Sequence, residues 1–161
     1  MNRYATPTAL QRALEDRLAA LVGKEGGDIQ RLRRQAAFDR LLCRLFQDKT
    51  SPWLLKGGYA MELHIRAART TRDIDLALRP STTTPGEWDV QAVTAILRQS
   101  AASNLHDGFE FTLGDATMDL DAAPYGGARF PVAAQMAGRR FAQFHLESTA
   151  NSTLWDNFMA A

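Results

Sequence analysis

The stretch that most constrains the fold lies between residues 53 and 78, where the hydrophobic period changes twice. An apolar run at 53–55 ends in Lys56-Gly57-Gly58, which predicts a buried strand and a tight turn. Residues 59–66 have helical spacing, and apolar and polar residues then alternate over 73–78 as in a strand. Because the connection is short, we expect the two strands to be neighbours in one sheet, joined by a helix from about Tyr59.

The rest of the pattern predicts an α+β fold, a small mixed sheet flanked by helices on one face. Helices are expected after Thr6-Pro7 and over 29–47 and 87–102, and strands over 109–113, 117–121, 130–132 and 141–147. We expect one domain over residues 1–161. It divides into a helical N-terminal part (1–49), a catalytic core (50–147) and a tail (148–161).

Composition excludes several classes of protein. Hydrophobic residues make up 45% of the 161 residues and charged residues 23%, so the chain is not of the disordered type. The single cysteine, Cys43, excludes a disulfide framework within the chain and a multi-cysteine zinc site. No apolar run reaches 18 residues, and the N-terminus lacks the layout of a signal peptide, so we expect a cytoplasmic protein.

The net charge of +1 conceals an asymmetry between the two halves of the chain. Residues 1–80 carry fifteen Lys and Arg against nine Asp and Glu, whereas residues 81–161 carry four against nine. A basic half suits contact with nucleic acid or nucleotide phosphates. A solvated helical surface is the alternative interpretation.

Asp73 and Asp75 are the first candidates for chemistry. Residues i and i+2 of a strand point to the same face, so the two carboxylates repel unless a cation such as Mg²⁺ lies between them. Gly57 and Gly58 precede a helix, whose N-terminus can receive a phosphate. Either feature alone is typical of a solvated strand or a plain turn. Together they favour phosphoryl or nucleotidyl transfer.

Two segments carry a resemblance to a known family. Leu55-Lys56-Gly57-Gly58-Tyr59-Ala60-Met61-Glu62-Leu63 and Arg69-Thr70-Thr71-Arg72-Asp73-Ile74-Asp75-Leu76 resemble the AbiEii/AbiGii toxin-type nucleotidyltransferases, of the DNA polymerase beta-like nucleotidyltransferase superfamily. The likeness continues through 124–132 and 144–147, and so covers roughly residues 30–147.

The resemblance implies that Gly57 and Gly58 face the phosphates of an NTP and that Asp73 and Asp75 hold the catalytic metals, Mg²⁺ or Mn²⁺. It also implies a third metal ligand at Glu147, where the family usually has Asp. The extra methylene of Glu shifts the oxygens by more than ~1 Å, which disturbs the reacting geometry. Members are typically toxins restrained by an antitoxin, and some modify tRNA. They usually continue into a long helical half, and this sequence stops at Ala161.

Further candidates surround these residues. Lys56, Arg69 and Thr71 are predicted to contact phosphate, although Lys56 also suits a plain surface lysine. Arg72 is expected to balance the charge of Asp73 and Asp75. Arg129 either binds a base or phosphate or is an exposed hairpin residue. Asp119 and Asp121 form a second alternating pair that could supply the third carboxylate, or a solvated strand face. His64, His106 and His145 lack metal-ligand spacing.

Three functions follow from these residues. The leading one is a metal-dependent nucleotidyltransferase that moves an NMP from an NTP to an acceptor such as tRNA, as the toxin of a toxin–antitoxin system. The second is a catalytically silent module of the same fold that binds a nucleotide or a partner. The third is a small nucleotidyltransferase that modifies a partner protein. We expect no membrane partner.

Overall fold

A computed structural model of the chain describes residues 3–64, 71–78, 89–119 and 126–150. Within these ranges it contains four helices, α1 (Pro7–Glu25), α2 (Ile29–Leu45), α3 (Gly57–His64) and α4 (Val90–Ala101). Its strands are β1 (Trp53–Lys56), β2 (Ile74–Leu78), β3 (Phe109–Leu113), β4 (Met118–Asp119), β5 (Gly127–Met136) and β6 (Arg139–Ala150). The predictions for residues 79–88 and for the turn at 124–125 lie outside the described residues.

The six strands form one mixed sheet in the order β1-β2-β6-β5-β3, with β4 beside β5. β2 runs parallel to β6, and every other pairing is antiparallel. The predicted neighbour relation of β1 and β2 is therefore confirmed, as is the mixed sheet flanked by helices. The central parallel pair joins residues that are more than 70 positions apart in the sequence, such as Ile74 and Leu146.

Helix starts are set by side-chain caps. Thr6 accepts a hydrogen bond from the Ala9 N–H with Pro7 in the first turn, as its position before the apolar repeat predicts. Asp28 and Asp89 cap α2 and α4 in the same way. α2 ends at Leu45, two residues before the predicted end.

The core lies between one face of the sheet and the helices. Phe38 of α2 is fully buried and meets Phe144 of β6 edge to face, with ring centroids 4.7 Å apart. The same ring meets Tyr59 of α3 at 4.9 Å, so α2 and α3 cover the same side. Ile74 and Leu146 are fully buried beneath them. Because side chains alternate along a strand, Asp75 and Glu147 point to the opposite face of the sheet.

Three boundaries differ from the sequence-based expectations. α3 begins at Gly57 rather than near Tyr59, because a φ of +72° at Gly57 turns the chain directly from the strand into the helix. β5 and β6 are longer than predicted. β6 continues to Ala150, whereas the sequence predicted a tail from Ser148 onward. Residues 148–150 stay in the sheet because they pair with residues 76–78 of β2. Of the helices described, none has the length and apolar character needed to cross a membrane.

Candidate functional site

Four charged residues form a row across four adjacent strands. Lys56 of β1 lies opposite Asp75 of β2, Asp75 lies opposite Glu147 of β6, and Glu147 lies opposite Arg129 of β5. Directly opposed residues of an antiparallel pair have Cβ atoms roughly 4.5–5.5 Å apart, which applies to Lys56 with Asp75 and to Glu147 with Arg129. Asp75 and Glu147 interact across the parallel pair. The row therefore places two carboxylates side by side at the centre of the sheet, with a cation at each end.

Asp75 is the most perturbed member of this row. Burial, followed by the charge of Glu147 and a hydrogen bond with it, raises the pKa of Asp75 from 3.8 to about 6. Lys56 acts in the opposite direction, and Asp73 adds a smaller increase. The sequence predicted repulsion between Asp73 and Asp75, but after burial the carboxylate that acts most strongly on Asp75 is Glu147, not Asp73. Burial and the nearby carboxylates thus act together to disfavour the charged form of Asp75.

Asp73, just before β2, is held by β5 and β6. Its Oδ2 accepts a hydrogen bond from the Arg129 guanidinium at 3.1 Å, and its Oδ1 accepts one from the backbone N–H of His145 at 3.2 Å. Arg129 Nε also lies 3.8 Å from Glu147 Oε1. Arg129 is consequently not the exposed hairpin residue that was one alternative from the sequence, and its contact with a base or phosphate stays a prediction. It joins two of the predicted metal ligands.

The two glycines of the turn are required by close contacts within the site. A Cβ on Gly57 would collide with the Asp75 carboxylate, and one on Gly58 would lie 2.6 Å from Thr71 Oγ1. Both glycines are exposed, so the backbone at the start of α3 stays accessible. Because neither glycine has a side chain, the turn lies directly against Asp75 and Thr71. The same lack of side chains leaves room for an anion.

Glu62 of α3 is a residue that sequence reasoning missed as part of the site. Its carboxylate accepts hydrogen bonds from Arg31 at 3.1 Å, from Gln35 at 2.7 Å and from the Thr71 N–H at 3.2 Å. Burial opposes the charged form, but these hydrogen bonds outweigh it and lower the pKa of Glu62. Glu62 thereby ties α3 to α2 and to the segment that leads to Asp73. The signal that could have revealed it is the i, i+4 spacing of Arg31 and Gln35 on α2.

The remaining candidates are placed as follows. Lys56 and Thr71 are half-buried beside the glycines, and Arg72 is exposed. Asp119 lies in β4 at the register position of Ala128, one residue away from the row that passes through Arg129. Arg69 and Asp121 lie outside the described residues. Of the histidines, His145 is the one nearest these groups, with Nδ1 3.7 Å from Asp73 Oδ1.

The site has an open cavity on one side. It has a volume of about 550 Å³ and reaches from Asp73 and Arg129 along β6 to Thr112 of β3. Within the described ranges, no three His, Cys, Asp or Glu side chains already converge in the manner of a metal site. The reason is visible in the contacts, because Asp73 faces Arg129 while Asp75 and Glu147 face each other.

Comparison with known proteins places the chain in a family. Among curated proteins, none matches this chain. A family model described as "Nucleotidyl transferase AbiEii toxin, Type IV TA system" matches residues 40–157, which is more than half of the chain and includes Gly57, Gly58 and all three carboxylates. The resemblance found in the sequence is therefore confirmed, and the chain belongs to the AbiEii family of nucleotidyl transferase toxins of type IV toxin–antitoxin systems.

Proposed function

We propose that this chain is a metal-dependent nucleotidyltransferase that moves an NMP from an NTP to an acceptor hydroxyl, and that it acts as the toxin of its toxin–antitoxin pair. The observation that carries this proposal is the juxtaposition of Asp73, Asp75 and Glu147 with the exposed turn at Gly57 and Gly58. An anion site beside a cluster of carboxylates is the combination that transfer of a phosphorus group requires.

The chemistry of the three carboxylates is compatible with a bound divalent cation. Their oxygens are the ligands that Mg²⁺ prefers, and the raised pKa of Asp75 reports crowding with Glu147 that a cation would relieve. Asp75 and Glu147 lie opposite each other and are the first two candidate ligands, and Asp73 would join them if it exchanged its hydrogen bond with Arg129 for the ion. These three residues would hold the ion, which would neutralise the leaving group and activate the attacking hydroxyl.

The chain's own groups would then position the two reactants. The exposed N–H groups at the start of α3, with Lys56 beside them, would bind the NTP phosphates. The acceptor oxygen forms a bond to the α-phosphorus while the bond from that phosphorus to the β-phosphate oxygen breaks, and pyrophosphate leaves. Arg69 and Thr71 are proposed to contact phosphate as well, and Thr71 is fastened in place by its N–H bond to Glu62.

The acceptor and the partner are proposed from charge. Residues 1–49 carry ten Lys and Arg against six Asp and Glu, which suits a polyanionic acceptor such as tRNA. Membership of a toxin family implies an antitoxin that restrains the activity. We propose the cytoplasm as the place of action, because both NTPs and tRNA are found there.

One observation favours a second candidate, the catalytically silent module that binds a nucleotide or partner. Glu147 stands where the family resemblance implies Asp, and Arg129 holds Asp73 in an ion pair. A chain that had lost metal binding would retain the fold and the turn, and could still bind its antitoxin. Modification of a protein rather than an RNA is the third possibility, and it needs the same carboxylates.

Incubation with each labelled NTP, Mg²⁺ and either total tRNA or candidate partner proteins distinguishes the three functions. Label transferred to tRNA supports the first proposal, and label transferred to protein supports the third. Asp75→Asn is the control, because it keeps the volume of the side chain and removes its charge. Binding of NTP without transfer to any acceptor, unchanged in Asp75→Asn, would favour the silent module.

A further inference from the structure

The 550 Å³ cavity lies on the side of the carboxylates away from the glycine turn. In the strand order β1-β2-β6-β5-β3, the turn follows β1 at one edge, and Asp75 and Glu147 occupy the next two strands. The cavity extends from there over β6 and β5 to Thr112 of β3. The carboxylates are thus flanked by the turn on one side and by the cavity on the other.

Three arginines from separate elements line this cavity, namely Arg34 of α2, Arg72 before β2 and Arg129 of β5. Asp73 is the one carboxylate among its described lining residues, so the lining carries a net charge of +2 from these four groups. Arginine presents a planar set of donors that matches the oxygens of a phosphate. The net positive charge of the lining and the planar arrangement of the guanidinium donors both indicate an anionic ligand.

Two of these arginines have donors without an acceptor. The Nε atoms of Arg34 and Arg129 are buried and have no hydrogen-bond acceptor in the part of the chain that the structure describes. A buried N–H without a partner costs roughly 1–3 kcal/mol, and native structures rarely leave one unsatisfied. A phosphate oxygen entering from the cavity would supply the missing acceptor.

We propose that this cavity binds a backbone phosphate of a nucleic-acid acceptor and so brings its terminal hydroxyl to the carboxylates. The inference rests on the proposed nucleotidyl transfer. In that reaction the attacking and leaving oxygens lie roughly in line on opposite sides of the phosphorus. With the leaving pyrophosphate at Gly57 and Gly58, the acceptor must approach from the far side, which is where the arginines lie. A protein acceptor would bring no phosphate to fill them.

The test measures RNA binding without metal or nucleotide. A short, fluorescently labelled single-stranded RNA is titrated in EDTA at several salt concentrations with the parent, Arg34→Gln and Arg72→Gln. We expect each variant to bind severalfold more weakly, with the slope of log affinity against log salt shallower by about 0.7 for each lost phosphate contact. Arg139→Gln removes the same charge from an exposed position on β6 outside the cavity and should match the parent.

A second arm separates the two sources of phosphate. Binding of a non-hydrolysable NTP analogue with Mg²⁺ should be the same in Arg34→Gln and in the parent. Weaker analogue binding with unchanged RNA binding would assign the cavity to the nucleotide and overturn the proposal. RNA binding that is undetectable in the parent, or that is lowered equally by Arg139→Gln, would also overturn the proposal. Arg72 is exposed, so its variant shows the effect even if Arg34→Gln unfolds.

The two proposals fail in different ways. If the parent transfers no nucleotide to any acceptor but Arg34→Gln and Arg72→Gln still weaken RNA binding, the cavity assignment stands and the enzymatic function does not. If the parent transfers nucleotide to a protein and the arginine variants bind RNA as the parent does, the enzymatic function stands and the cavity assignment is wrong.

Discussion

Asp75 of β2 lies directly opposite Glu147 of β6, across the parallel pair at the centre of the sheet. The two residues are 72 positions apart in the sequence, yet each is the nearest acidic neighbour of the other across the strand pair. Burial and this pairing together raise the pKa of Asp75 to about 6. In the absence of a cation, the folded chain therefore stores electrostatic repulsion at its candidate site.

Asp75→Asn should stabilise the metal-free protein at neutral pH. Well below pH 3.8 the Asp75 carboxyl is protonated in both the folded and the unfolded chain, so it contributes no penalty there. Between about pH 4 and pH 6 the Asp75 carboxyl is largely ionised in the unfolded chain but still largely protonated in the folded chain. The free energy of unfolding of the parent therefore falls as the pH rises. Two pKa units correspond to about 3 kcal/mol, which solvent screening at this half-buried site reduces to about 1–2 kcal/mol.

The measurement is urea unfolding of both proteins in EDTA from pH 4 to pH 7. The variant should gain on the parent as the pH rises and reach a constant advantage above pH 6. Asp107, whose pKa is lowered chiefly by its hydrogen bonds with Arg44 against the effect of burial, titrates identically in both proteins and cancels from the difference. A difference that does not vary with pH would contradict the raised pKa.

Glu147→Gln should abolish most nucleotide transfer while leaving NTP affinity nearly unchanged, because a metal ligand at the reacting phosphorus serves mainly the transition state. Removing its charge should also lower the pKa of Asp75, which NMR titration of the side-chain carboxyl can follow without any turnover. Glu147→Asp should keep or raise the rate. Transfer by Glu147→Gln at the rate of the parent would remove Glu147 from the set of proposed ligands.

Gly57→Ala should destabilise the protein and displace Asp75. The backbone at Gly57 has φ +72°, which costs a residue with a Cβ about 1–2 kcal/mol, and the added methyl group meets the Asp75 carboxylate. Gly23→Ala is the matched control, since no neighbour lies within 4 Å of its added Cβ and it sits in α1, where Ala favours the helix by about 0.5–1 kcal/mol. Thermal unfolding should move in opposite directions for the two variants.

Arg44→Met should cost about 3–5 kcal/mol of folding free energy without touching the site. Arg44 is 2% exposed, and its guanidinium donates to both Asp107 oxygens at 2.7 and 2.9 Å and to the Phe109 carbonyl at 2.9 Å. Its removal leaves those acceptors without their donor.

Arg98→Gln breaks an exposed pair with Asp115 and should cost less than about 1 kcal/mol. Denaturant unfolding compares the two variants. Equal losses would mean that the Arg44 network contributes no more than a surface pair.

The local hydrophobic pattern of the sequence was sufficient to predict most of the helices and strands. The alternation over 73–78 predicted β2, and the spacing after Thr6 predicted α1, since burial of one face requires those periods. Boundaries were less predictable. Nothing local distinguishes residues 148–150 from a tail, and they become strand because β2 and β5 offer them partners on both sides. In the same way, the start of α3 depends on one positive φ at Gly57.

The sequence by itself determined the family, the acidic pair and the glycine turn, because each is a short motif whose spacing is local. Only the tertiary structure decided that Glu147 lies against Asp75, that Arg129 holds Asp73, and that Arg34 reaches the same cavity. These contacts join β2 to β5, β6 and α2, and the sheet order that creates them depends on the burial of a shared core. Charged residues that are distant in the sequence become neighbours only when the strands and helices pack together. The electrostatic interactions of the site are therefore set by the fold.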